Sequence, residues 1–173
     1  MMKYTSAEAN KLLREKNDLL KKLQKKESMT SEFVVSLGED PESVRPEYDY
    51  NEMKTRMGQV EKEIRRIKHA INVFNSVTVV PEFDMTIDEM LVYIPQLTAE
   101  KTKLEKMSSA LPKQRREDTH YYRSASSNLV EYVYANYDIA KAEEDYQKVS
   151  RELARAQTAL DVINNSVRFE LEV

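Results

Sequence analysis

Two stretches of this chain carry the same apolar seam. Met53, Met57, Val60, Ile64, Ile67, Ile71 and Phe74 recur 89 residues later as Ala142, Tyr146, Val149, Leu153, Ala156, Leu160 and Ile163, both spaced 4,3,4,3,4,3. That spacing keeps one narrow stripe on a helix, the pattern of a coiled coil. A chain built twice around it is expected to fold as paired helical hairpins. The match reaches other positions: Tyr48-Asp49 returns as Tyr137-Asp138, Glu63 as Glu152, Arg66 as Arg155, Ala70 as Ala159 and Asn75 as Asn164. Shared periodicity alone would not produce these identities.

The expected fold is mainly α: four long antiparallel helices forming two duplicated coiled-coil hairpins, with short β-strands at the helix ends. The halves fall at residues 1–82 and 83–173, each with the order α-β-α-β, sharing one core as a single domain. The first helix starts at a cap on Thr5 or Ser6 and runs to about Lys26, its Ala9, Leu12, Leu13, Leu19, Leu20 and Leu23 forming a stripe broader than a seam. The second spans about Asp49 to Phe74. Thr86-Ile87-Asp88-Glu89 reads as a capping box opening a third helix that reaches about Ala110, and the fourth spans about Asp138 to Ile163. Strands are expected at Phe33–Leu37, Ser76–Val80, Leu129–Tyr134 and Ser166–Val173, the last alternating strictly between polar and apolar. Helices of about 25 residues are some 37 Å long at roughly 1.5 Å per residue, so successive ones must run up and down. Strands one and three would then lie at one end and strands two and four at the other. The polar stretch from Pro112 to Ser127 reads as a disordered linker.

Composition narrows the function classes. A charged fraction of 33%, two Gly and no Trp describe solvated helices rather than a loop-rich enzyme. The net charge of −3 gives no global electrostatic pull towards nucleic acid. Zero Cys removes disulfides, thiolate metal sites and cysteine nucleophiles, and fits a reducing compartment. With no apolar signal-peptide core and no run near the roughly 18 apolar residues of a span, the chain is expected to be soluble, cytoplasmic and free of the membrane.

No catalytic, cofactor-binding or metal site emerges. His69 lies among Arg65, Arg66 and Lys68 and reads as solvent-facing, and His120 sits in the polar linker with no nucleophile or second ligand at a defined spacing. Asp88, Glu89, Glu143 and Glu144 are explained as first-turn acids opposing a helix dipole. The chain lacks a Gly-rich phosphate loop, HExxH and an EF-hand pattern. Ten Tyr, with Tyr132, Tyr134, Tyr137 and Tyr146 close together, suggest a stacking platform. No Lys or Arg interleaves between Tyr132 and Ala140, so packing in the core or between subunits is the expectation.

Ala70-Ile71-Asn72-Val73-Phe74-Asn75-Ser76-Val77-Thr78, with the capping run Thr86-Ile87-Asp88-Glu89-Met90-Leu91, resembles a family of bacterial and phage proteins labelled septicolysin-like. Ser127-Asn128-Leu129-Val130-Glu131 and Leu160-Asp161-Val162-Ile163-Asn164-Asn165 follow that family's order of strand, helix and Asn-ending turn. The resemblance runs from about Glu39 onward, although the Trp that often closes the family's last helix is missing here. It implies long helical hairpins with small strands, and no catalytic residues.

The expected role is therefore a non-enzymatic coiled-coil oligomerisation or protein-interaction protein, a homo-oligomer or one docking a protein partner. Its seams would hold the hairpins, while edge strands Phe33–Leu37 and Val167–Val173 would pair between subunits. The alternative is an RNA- or DNA-binding helical-hairpin protein. It would use Lys11, Arg14, Lys16, Lys21, Lys22, Lys25 and Lys26 of the first helix with Arg65, Arg66, Arg115 and Arg116, although Glu8, Glu15, Asp18 and Glu27 interrupt that basic side. A chaperone-like holdase shares the architecture but requires an exposed apolar tip, which the sequence does not reveal.

Overall fold

The computed structural model describes residues 2–116 and 130–172, and it is mainly helical with short strands. In chain order the elements are β1 (Met2–Thr5), α1 (Ser6–Thr30), α2 (Pro41–Val44), α3 (Tyr50–Val77), β2 (Val79–Val80), β3 (Met85–Thr86), α4 (Ile87–Ser108), β4 (Lys113–Arg115), β5 (Tyr132–Tyr134), α5 (Ile139–Ser166) and β6 (Arg168–Leu171). They form two compact units, one of Met1–Ile87 with Leu160–Val173 and one of Asp88–Ala159.

In the first unit, α1 opens on a reciprocal cap. Thr5 Oγ1 accepts from the Glu8 amide at 3.2 Å, and the Glu8 carboxylate accepts from the Thr5 amide at 2.9 Å, so two amides that no helical carbonyl can reach are satisfied. The helix packs antiparallel on α3. Ala9, near its start, clusters with Ile67 and Ile71, whereas Leu23, near its end, clusters with Met53, Val60 and Ile64. The 4,3 seam of α3 is thus spent inside the hairpin. Asp49 caps α3 by accepting from the Glu52 amide at 2.9 Å.

Two ribbons complete this unit. Val79 faces Thr86 and Val80 faces Met85 in the β2–β3 hairpin, and Thr5 faces Arg168 and Tyr4 faces Phe169 in the antiparallel β1–β6 pair. Leu171 is buried on Ala9, Ile67 and Ile71, and Phe169 stacks on Phe74 with ring centroids 4.5 Å apart. The alternation read in the terminal segment therefore does mark a buried face. Its partner is β1 of the same chain, which the sequence reading assigned no strand.

In the second unit, α4 and α5 are also antiparallel. The Tyr93 hydroxyl, early in α4, donates to Glu152, well inside α5, while the Tyr137 hydroxyl, just before α5, donates to the Met107 carbonyl near the end of α4 at 3.1 Å. Asp138 caps α5, accepting from the Ala140 and Lys141 amides at 2.9 and 3.1 Å. β4 and β5 pair antiparallel, with Lys113 opposite Tyr134 and Arg115 opposite Tyr132.

Several expectations need correction. Phe33–Leu37 is not a strand: among the described residues it pairs with no other segment. The strand expected at Ser76–Val80 is reduced to Val79–Val80, because α3 continues to Val77, and the one at Leu129–Tyr134 to Tyr132–Tyr134. The order is not α-β-α-β repeated, and the pairs β1–β6, β2–β3 and β4–β5 replace the expected grouping of strands one with three and two with four. The linker from Glu117 onward, with His120, Tyr121, Tyr122 and Ser127 to Leu129, lies outside the described residues.

Candidate functional site

Among the described residues no three His, Cys, Asp or Glu side chains are grouped to hold a metal ion. The carboxylates have local occupations instead. Asp40, Asp49 and Asp138 cap helices, and Glu63 receives Lys16 at 2.7 Å and Gln59 at 2.9 Å. Those two bonds hold the Glu63 carboxyl below its ordinary range. Glu143 and Glu144 are not first-turn acids of α5, whose first turn carries none. They lie one turn further in, where Glu143 accepts from Gln147 and Glu144 from Lys141. His69 is exposed, as the sequence suggested.

Where α1 ends and α3 begins, Lys26, Glu47, Tyr48, Asp49, Glu52, Met53 and Arg56 line a cavity of 280 Å³. Three carboxylates against two cations leave it with no strong preference for either sign of ligand. Its Tyr48 hydroxyl donates to Glu27 at 3.1 Å, and burial together with that carboxylate raises the Tyr48 pKa.

The loop joining α1 to α3 presents what the sequence reading did not find, an exposed apolar tip. Val34 is 93% and Leu37 108% exposed, with Met29 exposed at the end of α1. The loop is braced beneath them. The Glu39 amide donates to the Ser36 carbonyl at 3.0 Å, the Glu39 carboxylate accepts from the Ser36 amide at 3.1 Å, and Arg45 lies 5.2 Å over the Phe33 ring while pairing with Glu42. Val34 and Leu37 are thus held outward on an ordered turn.

A second surface lies on the β4–β5 ribbon. Tyr132 and Tyr134 are 50% and 61% exposed, so they are not core residues. Nor are they without cations, because the interleaving charges come from the opposite strand. Lys113 Nζ sits 4.2 Å from the Tyr132 ring centroid and 5.4 Å from that of Tyr134, and Arg115 faces Tyr132. Arg116 is tied to Glu131 at 2.9 Å. A reading along one strand could not see this. The spacing Tyr-Val-Tyr, which puts both rings on one face, was the available signal.

The basic residues considered for nucleic acid are divided. Lys16 is committed to Glu63, Arg65 and Arg66 stand exposed on α3 of the first unit, and Arg115 and Arg116 belong to the second. No helix among the described residues is long and apolar enough to cross a membrane.

No family model and no curated protein matches the chain. A solved structure does: a functionally unknown conserved protein from Corynebacterium diphtheriae superposes with a TM-score of 0.61 at 18% identity, covering 98% of this chain and 100% of the other. At that identity the likeness extends to the fold, which this chain shares over nearly its whole length with a bacterial protein.

Proposed function

We propose that the chain is a non-enzymatic interaction protein whose α1–α3 loop docks a protein partner or a second copy of itself. The carrying observation is the pair Val34 and Leu37, fully presented on a loop that hydrogen bonds keep in shape. Burying two such side chains is worth about 3 to 6 kcal/mol before the cost of association, so they would anchor a wider contact rather than make the whole of it. The α3 seam is spent within its hairpin, so in this reading association falls to the loop.

In this reading the molecule is an internal duplication of four long antiparallel helices. What supports it is local: α3 and α5 each have 28 residues, Asp49 and Asp138 cap both, and Ile67 and Ala156 at matching seam positions are each 0% exposed. Glu63 and Glu152 both receive a side chain from the neighbouring helix, Lys16 and Tyr93 respectively. The septicolysin-like resemblance and a cytoplasmic location belong to the same reading, and neither brings site residues.

Native mass spectrometry of the protein purified from its own cells tests the proposal. The expected result is a second copy or a retained protein partner that is lost when Val34→Asp and Leu37→Asp are combined, with no change in melting temperature. A wild-type chain that runs as a bare monomer would overturn it.

A further inference from the structure

We infer that the β4–β5 ribbon is a contact site for single-stranded nucleic acid, independent of the α1–α3 loop. The residues directly opposite one another in an antiparallel pair share a face, so Lys113, Arg115, Tyr132 and Tyr134 stand together on one side of the ribbon. Two aromatic rings two residues apart on a strand are separated by roughly 7 Å, and each can carry one base of an extended strand. The Lys113 ammonium lies over both rings, and its flexible stem allows it to swing off the ring face as a base stacks and to meet the phosphate that follows. Arg115 faces Tyr132 and makes no ion pair among the described residues, which leaves two cations for two phosphates.

Charge complementarity selects the occupant. Residues 113–116 and 131–134 hold three cations and one carboxylate in a chain whose net charge is −3, so the positive field is local to the aromatic face. A purely apolar partner would leave Lys113 and Arg115 desolvated and unpaired, at a cost that opposes docking. Duplex DNA or RNA is a poorer fit, because its bases are already stacked on each other and cannot lie on Tyr132 and Tyr134.

Fluorescence anisotropy with a labelled fifteen-nucleotide oligo-dU and the full chain tests this. The wild type should bind, and affinity should fall only about sevenfold from 50 to 200 mM salt, because two phosphate contacts on a single strand give a log–log slope of about −1.4. Tyr132→Leu and Tyr134→Leu should each weaken binding by about five- to a hundredfold with the slope unchanged, and Tyr134→Phe should keep it. Lys113→Gln and Arg115→Gln should each bring the slope to about −0.7. Arg115→Gln leaves the Lys113 contact with both rings in place and decides the matter if a Leu variant or Lys113→Gln misfolds. The inference is overturned by absence of binding at 50 mM salt, by equal binding of a duplex, or by a steep slope unmoved by Lys113→Gln, which would place binding on α1. It is equally overturned if a polyglutamate peptide competes as well as the oligonucleotide, because the ribbon would then be an acidic-peptide site.

Discussion

Glu63 shows how one side chain records the packing around it. Its carboxylate takes the Lys16 ammonium from α1 and the Gln59 amide from its own helix, and both bonds favour the charged form. Its folded pKa is therefore below the ordinary 4.5, and the stability it contributes is present above that value and lost as pH falls through the folded one. Glu63→Gln should accordingly lower the melting temperature at neutral pH and flatten the acid side of the profile, so that the gap to the parent closes as pH falls below about 4.5. Tyr93 has the opposite sign. Its bond to Glu152 raises the hydroxyl pKa above 10.0, so its contribution is intact below that value and declines as pH rises beyond it, and Tyr93→Phe should blunt the alkaline decline. In the core, Ile67 is fully buried between Ala9 and Leu171, and Ile67→Ala should cost about 2 to 5 kcal/mol in a denaturant titration. A loss well under 1 kcal/mol would mean that this cluster is not a structural centre.

At the scale of elements, the helices were legible because what specifies them is local: the 4,3 seams of α3 and α5 and the Thr5 cap of α1. Thr5→Ala should remove one half of the reciprocal cap on α1 and lower stability by about 1 kcal/mol, read as a shift in urea midpoint at constant slope. Strands were less legible because a strand exists only by virtue of its neighbour. Phe33 to Leu37 has strand-like residues and no ladder, whereas Met2 to Thr5 has only four residues and finds its partner at Arg168 to Leu171. The cations beside the tyrosine face are invisible in its own strand for the same reason: they are on β4, separated in sequence by a long interruption. Deleting residues 167–173 strips Leu171 and Phe169 from Ala9, Ile71 and Phe74, and should lower the melting temperature and promote aggregation, measured by calorimetry and light scattering. Unchanged melting and solubility would show the ribbon to be dispensable.

For the molecule as a whole, the compact units do not follow the halves of the chain. The first unit takes its residues from both ends of the sequence, Met1–Ile87 and Leu160–Val173, and the β1–β6 ribbon lies inside it. Closing that ribbon brings together segments more than 160 residues apart, so it carries a larger loop-closure entropy than the sequence-local α1–α3 hairpin. Mechanically the ribbon has a further meaning. Met2 lies opposite Leu171 and Thr5 opposite Arg168, so tension applied through residues 2 and 171 reaches the hydrogen bonds one at a time, from the Met2 end inwards, and opens the ribbon as a zipper rather than shearing it. A chain tethered by those two residues in optical tweezers should release β1 and β6 at a low force before either helical hairpin yields, and pulling instead from Thr5 and Leu171 should require more. The ribbon that joins the ends in the folded chain would then also be the first part of it to give way under load.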